Sequence, residues 1–107
     1  MFEPIIHSEQ TELLMRAMLS LTTPEEASRF FEDLCTIAEI KSMAQRFEVA
    51  VLLRQGVTYQ EIAKRTGTST ATISRVNKAL CYGASGYTAV LDHMAEKGEL
   101  PAAPFNE

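Results

Sequence analysis

Apolar residues recur every three or four positions along most of the chain, which is the spacing of one face of an α-helix. The first such run lies between residues 9 and 21, directly after Ser8, a residue type that often caps helices. No segment alternates apolar and polar residues in the way a half-buried strand does. The pattern therefore predicts an all-α fold of about six helices.

Three Thr-x-x-Glu segments mark helix starts, at Thr23, Thr36 and Thr58. In such a capping box the hydroxyl and the carboxylate satisfy amides that a helix start leaves unpaired. The first box also carries Pro24, which suits the first helical position. The helix that follows it is expected to bury three apolar side chains, those of Phe30, Phe31 and Leu34.

The helix after Thr36 is predicted to run to about Gln55, where Gly56 can end it with a positive φ. Its apolar residues surround the helix on nearly all sides, so it needs cover from several directions. In a chain of 107 residues, a second copy of the chain is one source of that cover, which indicates a homodimer.

Residues 58–80 have the features of a helix-turn-helix. A short helix runs from Thr58 to about Arg65, Gly67 forms the turn, and Ser69 caps a second helix that runs to about Leu80. The packing positions carry suitable residues, a small or apolar side chain at each of Ala63, Ile62, Ile73 and Val76.

The rest of the chain is predicted to be simpler. Residues 81–87 read as a loop, residues 87–97 as a last amphipathic helix closed by Gly98, and residues 99–107 as a flexible tail. The chain is expected to form a single domain over residues 1–107.

Charge separates residues 51–80 from the remainder of the chain. The net charge of the whole chain is −4. Residues 1–50 contribute −5 and residues 81–107 contribute −3, whereas residues 51–80 contribute +4. A basic segment on an acidic body can orient a protein on a polyanion, although a solvated helix face has the same composition.

The start of the second helix of this segment is where a recognition helix meets base edges in the major groove. Hydroxyl and methyl groups there can contact bases, and nearby cations can contact phosphates. The predicted contacts to double-stranded DNA are Lys64, Arg65, Thr70, Ala71, Thr72, Ser74, Arg75 and Lys78. The alternative is a helix-turn-helix that docks a protein, which would lack the steep salt dependence of DNA binding.

Other classes of protein fit the sequence poorly. His7 and His93 have no catalytic partners nearby, and the chain has no nucleophile motif, phosphate loop or metal-ligand cluster, so neither an enzyme nor a metal or cofactor site is predicted. Cys35 and Cys81 read as reduced structural residues. No export signal or membrane span is evident, which favours the cytoplasm.

The chain resembles the Trp repressor family, in particular its YerC/YecD-like members. The segments LLRQG at residues 52–56 and ATISR at residues 71–75 carry the resemblance, which covers roughly residues 10–98. It implies an intertwined, all-helical homodimer whose two recognition helices enter successive major grooves of a palindromic operator. The function expected from this resemblance is that of a sequence-specific DNA-binding transcriptional regulator, acting as a repressor of metabolic, amino-acid-related genes.

The resemblance also implies an amino-acid corepressor held by Thr36, Arg46 and Arg75, aligned with one single-residue gap after Gly56. Two guanidiniums can flank a flat ring and bind a carboxylate. Each residue has a second interpretation: Thr36 as a helix cap, Arg46 as a surface ion-pair residue, and Arg75 as a phosphate contact.

Two positions depart from the family's tryptophan site. Val76 stands where a glycine leaves room for the indole ring, and Ala79 stands where a serine helps to hold the amino group. The implied pocket is smaller and less polar at that end. We therefore expect a ligand smaller than tryptophan, such as one with an imidazole side chain, or no ligand.

Overall fold

The computed structural model describes residues 2–101, and within that range every regular element is an α-helix. This confirms the predicted all-α fold with six helices. The elements are α1 Glu9–Leu19, α2 Pro24–Leu34, α3 Ile37–Arg54, α4 Tyr59–Thr66, α5 Thr70–Tyr82 and α6 Gly86–Glu96.

The predicted caps begin these helices. The hydroxyls of Ser8, Thr23, Thr58 and Ser69 each accept a hydrogen bond from the amide three residues later. At Thr36 the box is reciprocal, because the Thr36 amide also donates to the Glu39 carboxylate at 2.8 Å. These bonds satisfy the amides that a helix start leaves without partners, which explains why the starts were readable from sequence.

The described chain forms two compact units, one up to Ile40 and the other from Lys41 onward. In the first unit neither α1 nor α2 contains a buried residue. The prediction that α2 buries three apolar side chains is wrong for the single chain. Phe30 and Phe31 are half-buried with their ring centres 6.0 Å apart, and Leu34 is 51% exposed. Helical spacing identifies an apolar face and leaves open what covers it.

The core lies in the second unit. Val49, Ala50, Val51 and Leu52 are buried at four consecutive positions of α3. Four consecutive residues point in all directions around a helix, so α3 is enclosed there. The side chains that enclose it come from α4, α5 and α6 of the same chain, namely Ile62, Ile73, Val76 and Leu91. A second copy of the chain is therefore not what covers this end of α3, contrary to the expectation from sequence.

Residues 81–87 were predicted to be a loop, and that prediction is largely wrong. Helix α5 continues through Tyr82 and α6 begins at Gly86, which leaves residues 83–85 as the connection. The α6 helix is tied to α3 by an ion pair between Arg54 and Asp92, 2.7 Å apart.

The last described residues continue from α6. Gly98 has a φ of 69°, and after it Leu100 packs against the core. Of the predicted flexible tail, residues 102–107 lie outside the described residues. None of the described helices is long and apolar enough to cross a membrane.

Candidate nucleic-acid interface

The turn between α4 and α5 depends on Gly67. Its φ of 69° and ψ of 17° are left-handed, a conformation that costs little only for glycine. Its amide donates to the Ala63 carbonyl at 2.9 Å and so closes the end of α4. Two residues later Ser69 caps the start of α5. The turn predicted from sequence is thus confirmed in both its position and its geometry.

The two helices pack through apolar side chains at the predicted positions. Ile62 and Ile73 have no exposed surface, Val76 is 2% exposed, and Ala63 is half-buried against the same core. Burial of one fully enclosed isoleucine stabilises a fold by roughly 1.5–3 kcal/mol. The packing therefore fixes one face of α5 toward the protein.

The opposite face of α5 is open. Ala71, Ser74, Arg75 and Lys78 are exposed and lie three or four residues apart, so they share one side of the helix, and Thr70 is exposed at its start. This side carries two cations and two hydroxyls, together with the small side chain of Ala71. It is a surface that combines phosphate attraction with groups able to contact base edges.

Thr72 differs from these residues because it is half-buried. Ser69 accepts a hydrogen bond from the Thr72 amide at 3.2 Å and donates its own hydroxyl proton to the Thr72 oxygen at 3.1 Å. A hydroxyl has one proton to donate. The Thr72 proton is therefore not used by Ser69 and can be donated to a base or phosphate acceptor.

The two predicted cations of α4 are in different situations. Lys64 is exposed. The side chain of Arg65 is only 20% exposed, and its guanidinium lies 3.1 Å from the Glu61 carboxylate one helical turn earlier. The i, i+4 spacing of Glu61 and Arg65 is a sequence signal that could have indicated this pair. Lys64 is thus the more available of the two for a phosphate.

A hydrogen-bonded network behind the turn was not predicted. The Thr66 hydroxyl donates to the Ile62 carbonyl at 2.7 Å and lies 2.8 Å from the hydroxyl of Thr68, which is 6% exposed. From α3, the Gln45 side-chain amide donates to the Thr66 carbonyl at 2.8 Å. The partners Gln45 and Thr66 are separated by 21 positions, so no local pattern could have revealed the pair.

The residues implied as ligand contacts are distributed over both units. Thr36, in the first unit, is exposed and its hydroxyl caps α3 by accepting from the Glu39 amide at 3.1 Å. Arg46 and Arg75 belong to the second unit and are both exposed. The cap role of Thr36 is therefore shown, while the ligand role of all three residues stays a prediction.

The two positions that depart from the tryptophan site have different surroundings. Val76 is part of the buried core. Ala79 lines an open groove of about 450 Å³, together with Phe47, Ala84, Gly86, Tyr87 and Val90. The side chains that line this groove present aromatic and aliphatic surface.

Two packed helices joined by a left-handed glycine turn, with an exposed polar face on the second helix, define a helix-turn-helix protein. The chain matches the Trp repressor protein family over residues 9–95 and belongs to that family. The family consists of regulatory DNA-binding proteins and not of enzymes.

The chain is also similar to individual proteins and solved structures. The chain is 50% identical over 91 residues to the uncharacterized protein YerC of Bacillus subtilis (strain 168), an alignment that covers 85% of this chain and 88% of that protein. It is 41% identical over 61 residues to a Trp operon repressor homolog of Chlamydia caviae, covering 56% and 60%. The crystal structure of a TrpR-like protein from Eubacterium eligens superposes with a TM-score of 0.79 at 53% identity, covering 82% of this chain and 91% of that one.

Proposed function

We propose that this protein is a sequence-specific, DNA-binding transcriptional regulator that acts as a dimer. The observation that carries the proposal is the exposed face of α5. Arg75 and Lys78 lie there beside Thr70, Ala71 and Ser74, in the one segment of the chain with a positive net charge. This face can approach a groove because Ile73 and Val76 hold the opposite side of α5 in the core.

Exposed apolar side chains in the first unit support the proposed dimer. Helices α1 and α2 contain no buried residue, and Leu13, Leu19 and Ile37 are 63%, 84% and 74% exposed. Apolar side chains that stay exposed in the single chain are unfavourable in water, and they commonly lie at an interface. A second copy of the chain would cover it, and a two-fold dimer would present two recognition helices to a palindromic operator.

The proposed regulatory role is repression of amino-acid-related genes. It is supported by membership of the Trp repressor family and by the similarity to a Trp operon repressor homolog. We further propose that tryptophan is not the effector. Val76 fills space in the core, and Ala79 offers no hydroxyl to a ligand's amino group.

Calorimetric titration with the twenty free amino acids tests the effector. We expect no tryptophan binding in the micromolar range, and binding of a smaller amino acid would identify the effector. Tight binding of tryptophan would contradict this part of the proposal and leave the DNA-binding part intact.

Selection of bound duplexes from a random-sequence pool tests the DNA-binding part. We expect enrichment of a palindromic sequence whose affinity falls steeply as salt rises, because each neutralised phosphate releases counterions. Replacing the exposed Lys64 with Ala should reduce the slope of log Kd against log salt concentration by about 1. Lys97→Ala, a change at an exposed lysine just after α6, is the matched control and should leave the slope unchanged.

If no sequence is enriched and the affinity for DNA does not respond to salt or to Lys64→Ala, the DNA-binding part of the proposal is wrong and the protein-docking alternative is favoured.

A further inference from the structure

We infer that Gln45 is a positioning residue for the recognition helix: its side chain fixes the helix-turn-helix turn to the central helix α3. This inference rests on the proposed function, since it assigns Gln45 a role in DNA binding. Gln45 itself lies on α3, outside the helix-turn-helix, and its amide reaches the turn from there.

The bond has an unambiguous direction. Gln45 Nε2 lies 2.8 Å from the main-chain oxygen of Thr66, and a carbonyl can only accept, so the Gln45 amide nitrogen is the donor. Thr66 is the last residue of α4, where carbonyl groups have no partner within their own helix. Gln45 supplies that partner from a different helix.

The Thr66 carbonyl is joined to a short, rigid connection. Gly67 follows with its left-handed backbone, and the Thr68 amide donates back to the Thr66 hydroxyl at 3.2 Å. Thr68 is 6% exposed, so its side chain lies within the protein. Only Ser69 separates it from the first residue of α5. A shift of the turn relative to α3 would therefore move the start of the recognition helix.

The start of α5 carries the residues proposed to meet base edges, Thr70, Ala71 and Thr72. Contacts of this type require placement to a fraction of an ångström, because a hydrogen bond weakens quickly with distance and angle. Loss of the Gln45 bond should hence weaken DNA binding although Gln45 need not touch DNA.

Gln45→Met tests the inference, because methionine has similar length and no charge but donates no hydrogen bond. Gln55→Met is the matched control. Gln55 follows α3 directly, and its amide donates to the Pro101 carbonyl at 3.3 Å, outside the helix-turn-helix. Affinity is measured on the selected duplex at several salt concentrations, and the active fraction is measured by stoichiometric titration.

For Gln45→Met we expect Kd to rise about tenfold, as for loss of one partly buried hydrogen bond. The salt slope and the active fraction should stay unchanged, because no phosphate contact is removed and the protein remains folded. A variant that is merely less stable would lose active fraction and keep its Kd. An unchanged Kd, or a reduced active fraction with an unchanged Kd, would overturn the inference.

Amide hydrogen exchange provides a second readout that needs no DNA. The amides of Gly67 and Thr68 should exchange about tenfold faster in Gln45→Met and should not change in Gln55→Met. If these amides keep their protection, Gln45 does not fix the turn and the inference is wrong. If they lose protection while the wild-type protein binds no DNA, the proposed function has failed, and the DNA-binding role of Gln45 fails with it.

Discussion

Gly67→Ala examines the turn of the helix-turn-helix in isolation. Gly67 has a φ of 69°, and a Cβ added there would meet no atom within 4 Å. The substitution therefore changes the backbone preference without creating a steric clash. Any loss of stability can be assigned to the left-handed conformation itself.

The size of the effect follows from two opposing terms. A left-handed backbone costs a residue with a Cβ about 1–2 kcal/mol. Replacing glycine also restricts the unfolded chain, which stabilises the folded state by about 0.4–1 kcal/mol. We expect the free energy of unfolding to fall by about 1 kcal/mol, which lowers the Tm of a domain of this size by about 4–8 °C.

Thermal unfolding followed by circular dichroism at 222 nm, at one fixed protein concentration, measures this change. Gly86→Ala is the control. Gly86 begins α6, has equally open space around its Cβ position, and does not have a positive φ. It should therefore leave Tm unchanged or raise it slightly. Equal shifts in the two variants, or a Tm of Gly67→Ala at or above that of the wild type, would refute the reasoning.

Three further predictions concern other parts of the chain. Hydrogen bonds from the Thr22 amide and hydroxyl lower the pKa of Glu26 below its usual value, so this carboxylate stabilises the fold above its unfolded pKa and loses that effect as pH falls through the folded pKa. The free energy of unfolding should accordingly fall less as pH decreases in Glu26→Gln than in the wild type. Identical pH dependence in the two proteins would contradict this. Val76→Ala removes buried methyl groups and should lower the free energy of unfolding in urea by roughly 2 kcal/mol; a loss below roughly 0.5 kcal/mol would show that the site is not tightly packed. Ser74→Ala should change which bases are preferred in a selection more than it changes overall affinity, and an unaltered preference would remove Ser74 from the base contacts.

Helix starts and the turn could be predicted from the sequence because their causes are local. A cap such as Thr36 bonds to an amide three residues away, and Gly67 adopts a conformation that its own lack of a Cβ permits. The helix-turn-helix packing was predictable for a related reason. Small or apolar residues at fixed intervals, such as Ile62 and Ile73, can face each other only if the two helices fold back at the glycine.

The end of α5 shows where local information fails. Cys81 and Tyr82 were predicted to lie in a loop, yet α5 continues through both. Gly83 ends the helix, and a Cβ at that position would clash with the Ala79 carbonyl oxygen. The contact is local, but it depends on the backbone geometry of the folded helix end, which residue types alone do not specify.

The sequence by itself determined the helical class, the helix starts, the position of the turn and the concentration of positive charge around α5, because each depends on neighbours within a few residues. Tertiary structure alone decided which surfaces are covered. It packed residues 49–52 of α3 against side chains of α4, α5 and α6 of the same chain, left Leu34 exposed, and brought Gln45 to the Thr66 carbonyl. These contacts join residues far apart in the chain, and their energies depend on how whole helices pack together. The apolar periodicity of one helix identifies its apolar face but does not specify what packs against that face.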